Sequence, residues 1–185
     1  MKQSHYNIWN LLSYFLPILL IIAVPITATP FLLQSDFKVT TVFLVRHAEK
    51  ASTPAEDPPL LEIGNIRAQE LIHILGKSGI KAIYTSQYLR TKQTAEPLAK
   101  HLGIESTTIT IKDPQESFNE VAKRIYENAG DNVLIVGHSN TVPDIIKTLG
   151  GDIVPTIGDK EYDNLFVVTI YAKGKAKVTN LKYGK

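Results

Sequence analysis

From Val39 onward, apolar positions alternate between two rhythms, short β-branched runs and longer stretches with helical spacing. Val39 to Val45 reads as a buried strand that runs directly into Arg46 and His47. Ile63, Ile66, Leu71, Ile74 and Leu75 suit one helix, closed by Gly76 and Gly79, and strand character returns at Ile80 to Thr85. A second helix is predicted from Tyr88 to Leu102, a strand from Ser106 to Ile111 and a third helix from Pro114 to Asn128. Val133 to Val136 is a short apolar strand entering Gly137 and His138, followed by a helix from about Val142 to Leu149. Strands at Leu165 to Tyr171 and Ala176 to Leu181 close the chain. Strands alternating with helices predict an α/β three-layer sandwich, its central sheet mostly parallel and flanked by helices, with ligands at the carboxyl ends of the strands.

The first 35 residues follow neither rhythm. No Lys, Arg, Asp or Glu occurs between Lys2 and Asp36, and Trp9 to Leu33 is dominated by large apolar residues. Residues 1–35 are therefore expected to be a signal peptide or an N-terminal membrane anchor, with one domain in residues 36–185. Ile26-Thr27-Ala28 would serve as a small-residue cleavage site, while an uncleaved segment is long enough to span about 30 Å of hydrocarbon. Either reading places the domain outside the cytoplasmic membrane, in the periplasm or anchored to it.

Composition narrows the partners. With 44% apolar and 21% charged residues the chain is ordinary globular material, and its 20 basic and 18 acidic residues form no cationic run suited to nucleic acid. The absence of cysteine excludes disulfides, thiolate nucleophiles and cysteine metal sites. No HExxH, EF-hand or glycine-rich phosphate loop occurs, and His5, His73 and His101 are too dispersed to be ligands. No cofactor or metal is expected.

The candidate chemistry lies at the predicted strand ends. Arg46 and His47 follow one strand, His138 follows another, and Arg90 opens the helix after a third. Two guanidinium forks, two imidazoles and helix N-terminal amides would be mutually unfavourable unless they held an anion, and they match the oxygens of a phosphoryl group. A neutral imidazole in such a pocket can attack phosphorus while the arginines offset equatorial charge.

Four segments then resemble, in order and spacing, the signatures of the histidine phosphatase superfamily, the phosphoglycerate mutase-like group. They are LVRHAEK (Leu44 to Lys50), PLLEIGNIRAQEL (Pro59 to Leu71), TSQYLRTKQTAEPLA (Thr85 to Ala99) and VGHSNTVP (Val136 to Pro143). The resemblance covers roughly Val39 to Leu181. It implies a metal-independent phosphatase for phosphate monoesters or phosphohistidine, with His47 as the phosphorylated nucleophile and Arg46, Arg90 and His138 binding the phosphoryl group. A phosphorylated small molecule or envelope sugar is the expected substrate class. The alternatives are a non-catalytic phosphate-binding member and a phosphoglycerate mutase-type phosphotransferase.

Two departures stand out. Leu61 occupies a position where many members have threonine or serine, so a polar contact near the pocket is expected to be missing. The insertion that carries the general acid in the mutases is absent, because Thr107 to Asn119 is short, and a small, open site is implied. Glu49, Asp113, Glu116 and Asp144 are the candidate acids, and Asp144, which follows the His138 block, is the choice among them.

Overall fold

The computed structural model describes residues 37–184. The expected leader or anchor lies outside the described residues. Within them, no helix is long and apolar enough to cross a membrane.

Six strands and four helices follow one another as β1 (Thr40–Arg46), α1 (Glu62–Leu75), β2 (Ile80–Ser86), α2 (Leu89–Leu102), β3 (Thr107–Ile109), α3 (Pro114–Glu127), β4 (Asn132–Gly137), α4 (Thr141–Thr148), β5 (Asn164–Ala172) and β6 (Lys175–Lys182). The sheet order is β3-β2-β4-β1-β5-β6. The pairs β2–β3, β2–β4 and β1–β4 are parallel, whereas β1–β5 and β5–β6 are antiparallel. The expected α/β sandwich is therefore present, with the closing hairpin turned against the parallel part. A two-residue turn at Lys173-Gly174 can reverse a strand but cannot carry it back across the sheet.

Both faces of the parallel part are covered, which explains why its strands read as continuous apolar runs. On one face Val42, Leu44, Val133 and Ile135 pack with Phe118 and Ile125 of α3 and Ile146 of α4. On the other, Val45, Leu134, Val136 and Ile83 pack with Leu71 and Leu75 of α1 and Leu98 of α2. Leu44, Ile83, Leu98, Ile125, Leu134 and Ile146 are essentially solvent-free, and each such side chain contributes about 1.5–3 kcal/mol relative to exposure. The third strand is shorter than the apolar run 106–111 suggested. At the sheet edge it finds a partner only in β2, and Ile111 is instead held by the Gln87 side chain, which accepts from its amide at 3.0 Å.

Because α1 and α2 cover one face and α3 and α4 the other, the chain leaving β1 and the chain leaving β4 turn to opposite sides. A crevice opens between the carboxyl ends of these two adjacent strands, the place where open α/β sheets bind ligands.

Candidate phosphoryl-binding site

Pairing of β1 with β4 brings the two histidines together. Arg46 is opposite Gly137, and the His47 amide donates to the Gly137 carbonyl at 2.9 Å. The two imidazole centroids lie 5.4 Å apart. Next door, β2 delivers Ser86 to the same edge, where its hydroxyl meets His138 Nε2 at 2.9 Å. Arg90, in the first turn of α2, places Nη2 3.5 Å from His138 Nδ1. Arg46, His47, Arg90 and His138 all line one cleft of about 400 Å³, together with Lys50, Tyr88 and Ile111. The four residues expected to converge do converge.

The hydrogen bonds also settle which nitrogen is free. His47 Nδ1 lies 2.8 Å from the Ala48 carbonyl, which can only accept, so Nδ1 carries the proton and a neutral His47 keeps its lone pair on Nε2. For His138 the logic reverses. Arg90 can only donate, so Nδ1 carries the lone pair and Nε2–H donates to Ser86 Oγ. The chain continues from Ser86 Oγ to Thr91 Oγ1 at 2.9 Å, and Thr91 Oγ1 in turn donates to the Tyr88 carbonyl at 2.8 Å.

Both histidines are held neutral. Burial is the main cause in each case and lowers the pKa of His47 to about 4 and that of His138 to about 3. For His47 the Ala48 carbonyl opposes the shift, while Arg90, Arg46 and Lys50 add to it; for His138 the additional push comes from Arg90, His47 and Arg46. Both folded values lie below the ordinary 6.5, so the unfolded chain binds more protons than the fold between pH 6.5 and about 3. The resulting stability is fully present above pH 6.5 and is lost as the pH falls through the folded values. Chemical denaturation across this range is expected to show a loss of about 3 kcal/mol from His47 alone. His47→Gln is expected to flatten that part of the profile.

Both arginines are held in place at the cleft. Arg46 Nη1 donates to the carbonyls of Gly158, Asp159 and Glu161 at 2.7, 3.1 and 3.2 Å, and its guanidinium lies 4.3 Å over the Tyr162 ring. The Arg90 guanidinium lies 4.3 Å over Tyr88. Yet the Nε atoms of Arg46 and Arg90 are buried without a hydrogen-bond partner. A buried unpaired donor costs about 1–3 kcal/mol, and an oxyanion between the two arginines would remove that cost. Ser139, Asn140 and Thr141, which open α4, line the same cleft. The start of α2 is different, since the Leu89 amide is already taken by the Asp57 carboxylate at 2.9 Å.

None of the candidate acids lines the cleft. Asp144 is exposed on α4, because Thr141, Val142, Ile145 and Ile146 turn towards the core and leave positions 144 and 147 to solvent. Glu49 is engaged by Arg67, whose Nη2 and Nε lie 2.8 and 3.0 Å from its carboxylate. Asp113 caps α3 by accepting from the Glu116 amide, and Glu116 itself is exposed. The nearest carboxylate to the arginines is Asp57, 3.7 Å from Arg90 Nη1, in a loop whose charge gave no periodic signal.

The remaining motif residues act through the backbone. Gln93 accepts from the Leu60 amide at 2.8 Å, and Thr94 accepts from the Ala48 amide at 2.9 Å, tying the chain beyond His47 to α2. Gly64 lies against the Glu49 carbonyl, where any Cβ would collide with backbone. Leu61 is the residue that precedes α1 and makes no side-chain cap, so the hydroxyl absent there is a helix cap and not a pocket contact. Sequence reasoning also missed Ser86, Tyr162 and the carbonyls of residues 158–161. A serine ending a strand gives a weak signal, and backbone carbonyls give none.

Among the described residues no three His, Cys, Asp or Glu side chains gather to hold a metal ion. A family model described as histidine phosphatase superfamily (branch 1) matches residues 42–113, which span the first three motifs. No curated protein matches. Among solved structures, the protein histidine phosphatase SixA complexed with tungstate is 20% identical with a TM-score of 0.63, covering 77% of this chain and 96% of that one. A mycobacterial glucosyl-3-phosphoglycerate phosphatase is 12% identical with a TM-score of 0.58, covering 79% and 99%. A structure titled mycobacterial hydrolase 2 is 13% identical with a TM-score of 0.62, covering 80% and 93%. Over residues 42–113 the chain is similar to the histidine phosphatase superfamily (branch 1), and the shared fold and the two histidines and two arginines gathered at its strand ends agree with that match.

Proposed function

We propose that the protein is a phosphatase that hydrolyses phosphate monoesters or phosphohistidine through a covalent intermediate on His47, and that it works outside the cytoplasmic membrane. The observation that carries this reading is the free Nε2 of a neutral His47 in a cleft lined by Arg46 and Arg90. Tungstate bound to SixA and the phosphorylated sugar acid named for the mycobacterial relative favour a tetrahedral oxyanion as ligand. Export rests on the charge-free stretch between Lys2 and Asp36.

In the first step His47 Nε2 forms a bond to phosphorus as the bond from phosphorus to the leaving oxygen or nitrogen breaks. Arg46 and Arg90, with the neutral His138 beside them, offset charge on the equatorial oxygens. Water then attacks the phosphohistidine, the P–N bond breaks, and inorganic phosphate leaves with His47 neutral again.

With no carboxylate lining the cleft among the described residues, the leaving group receives little help from a protein acid. Aryl phosphates, whose phenolates depart unprotonated, are expected to turn over roughly 10²–10⁴-fold faster than alkyl phosphates, the range that general acid catalysis spans elsewhere. Steady-state rates for p-nitrophenyl phosphate and an alkyl phosphate, with a chelator present throughout, test this. No hydrolysis of any aryl phosphate or phosphohistidine peptide would leave the non-catalytic binding reading in its place, and transfer between phosphoglycerates would favour the mutase.

A further inference from the structure

The cleft is at one pole of the sheet, and the opposite pole has a character of its own. The amino ends of β1, β2 and β4 meet there, Thr41 beside Asn132 and Ile80 beside the same Asn132. The β5–β6 turn returns to this end, because Thr40 pairs with Ile170. The C-terminus of α4 is tied to that turn by the Ala176 amide, which donates to the Gly150 carbonyl at 3.1 Å. Tyr126 of α3 ties it again, accepting from the Gly174 amide at 3.1 Å. Seven residues of β1, at about 3.3 Å each, separate the two poles by about 20 Å.

Seven exposed lysines ring this base: Lys38, Lys77, Lys81, Lys147, Lys173, Lys175 and Lys177. None of them makes an ion pair among the described residues, in contrast to Lys100, Lys123 and Lys182. The acidic groups of the same end are fewer, namely Glu105, Glu127, Asp131 and Asp152, and Glu127 lies near Lys123. The β6 alternation puts Lys175 and Lys177 on one side of the hairpin. Among these cations sit two exposed apolar side chains: Val39 is 55% and Tyr171 53% exposed, on neighbouring strands one residue beyond the Thr40–Ile170 pair. A solvated face needs its lysines but gains nothing from an exposed valine and tyrosine at their centre. Lysines around an aromatic and an aliphatic side chain are what a membrane–water interface selects.

The described chain begins at this same pole, at Phe37, with only Asp36 between it and a stretch, residues 3–35, that holds no Lys, Arg, Asp or Glu. We propose that the lysine-ringed base around Val39 and Tyr171 docks on an anionic bilayer surface and so points the phosphoryl cleft away from the membrane. The proposal rests on the reading of residues 1–35 as a membrane segment, and it identifies water-soluble phosphorylated molecules, not phospholipid headgroups in the same bilayer, as the substrates within reach.

The test uses the full chain mixed with vesicles of phosphatidylcholine alone or of phosphatidylcholine with phosphatidylglycerol. Flotation reports membrane association, and a water-soluble amine reagent followed by peptide mass spectrometry reports the exposure of each lysine. Lys173, Lys175 and Lys177 are expected to react several-fold more slowly on anionic than on neutral vesicles and to recover in high salt. Lys92 and Lys112, at the cleft pole, are expected to react alike on both. The triple substitution K173E/K175E/K177E is expected to abolish the lipid-dependent protection while leaving aryl phosphate hydrolysis unchanged. Flotation with both vesicle types but equal labelling overturns the docking surface alone. Flotation only with anionic vesicles supports the surface and removes the membrane segment, and flotation with neither overturns both.

Discussion

His47→Asn is expected to lower turnover of an aryl phosphate by about 10⁴-fold or more, the scale seen when a catalytic nucleophile is removed. Asparagine can still donate to the Ala48 carbonyl, so the local backbone and the fold should persist, but no lone pair remains where Nε2 was. His138 cannot take over. Its Nε2 donates to Ser86, and its Nδ1 is set against Arg90. Acid-labile, alkali-stable phosphoryl label should appear on the wild-type chain during turnover and be absent from His47→Asn. Hydrolysis surviving in the variant, or label on another residue, would move the nucleophile elsewhere. Burial adds a pH signature: since protonation of His47 removes the attacking pair, kcat/KM is expected to hold on the acid side until about pH 4, once ionisation of the substrate itself is allowed for.

The second large effect is expected at Arg46. Arginine at this position performs two tasks with one planar fork, donating through Nη1 to three carbonyls of residues 158–161 while the side chain lines the cleft. Lysine retains the charge but has a single nitrogen, so it can serve the loop or the phosphoryl group and not both. Arg46→Lys should reduce kcat/KM by roughly 10²–10³-fold, the scale of removing one preorganised donor from a charged transition state. It should also weaken tungstate binding measured by calorimetry. Tyr162→Leu, which removes the ring beneath the guanidinium but none of its hydrogen bonds, should have a much smaller effect. Unchanged tungstate affinity in Arg46→Lys would show that Arg46 serves only the loop.

Much of this arrangement was legible in the chain. Strand and helix limits fell within a few residues of their observed places because each parallel strand is buried on both faces and each helix on one. In α1 only Leu71 and Leu75 of the five expected apolar positions are buried and Ile63, Ile66 and Ile74 are exposed, whereas in the strands the apolar rhythm follows the packing. His47 and His138 could be placed at strand ends for the same reason. What could not be read was who satisfies whom. Asp144 looked like an acid because it follows His138 by six positions, but α4 begins at Thr141 and turns that side chain outwards. Leu61 looked like a lost pocket contact and is a lost helix cap.

By itself, then, the sequence determined the α/β alternation, the chemistry of the two imidazoles and two guanidiniums, and the contrast between a charge-free first segment and a mixed remainder. These are properties of local composition and spacing. Only the tertiary structure decided that β4 inserts beside β1, and with it the tautomers of both histidines, the carbonyl clamp on Arg46 and the antiparallel return of the last hairpin. The Arg46 clamp and the His138 tautomer depend on hydrogen bonds between residues as many as 115 positions apart, whose geometry is set by register and loop path and leaves no mark in the order of the amino acids.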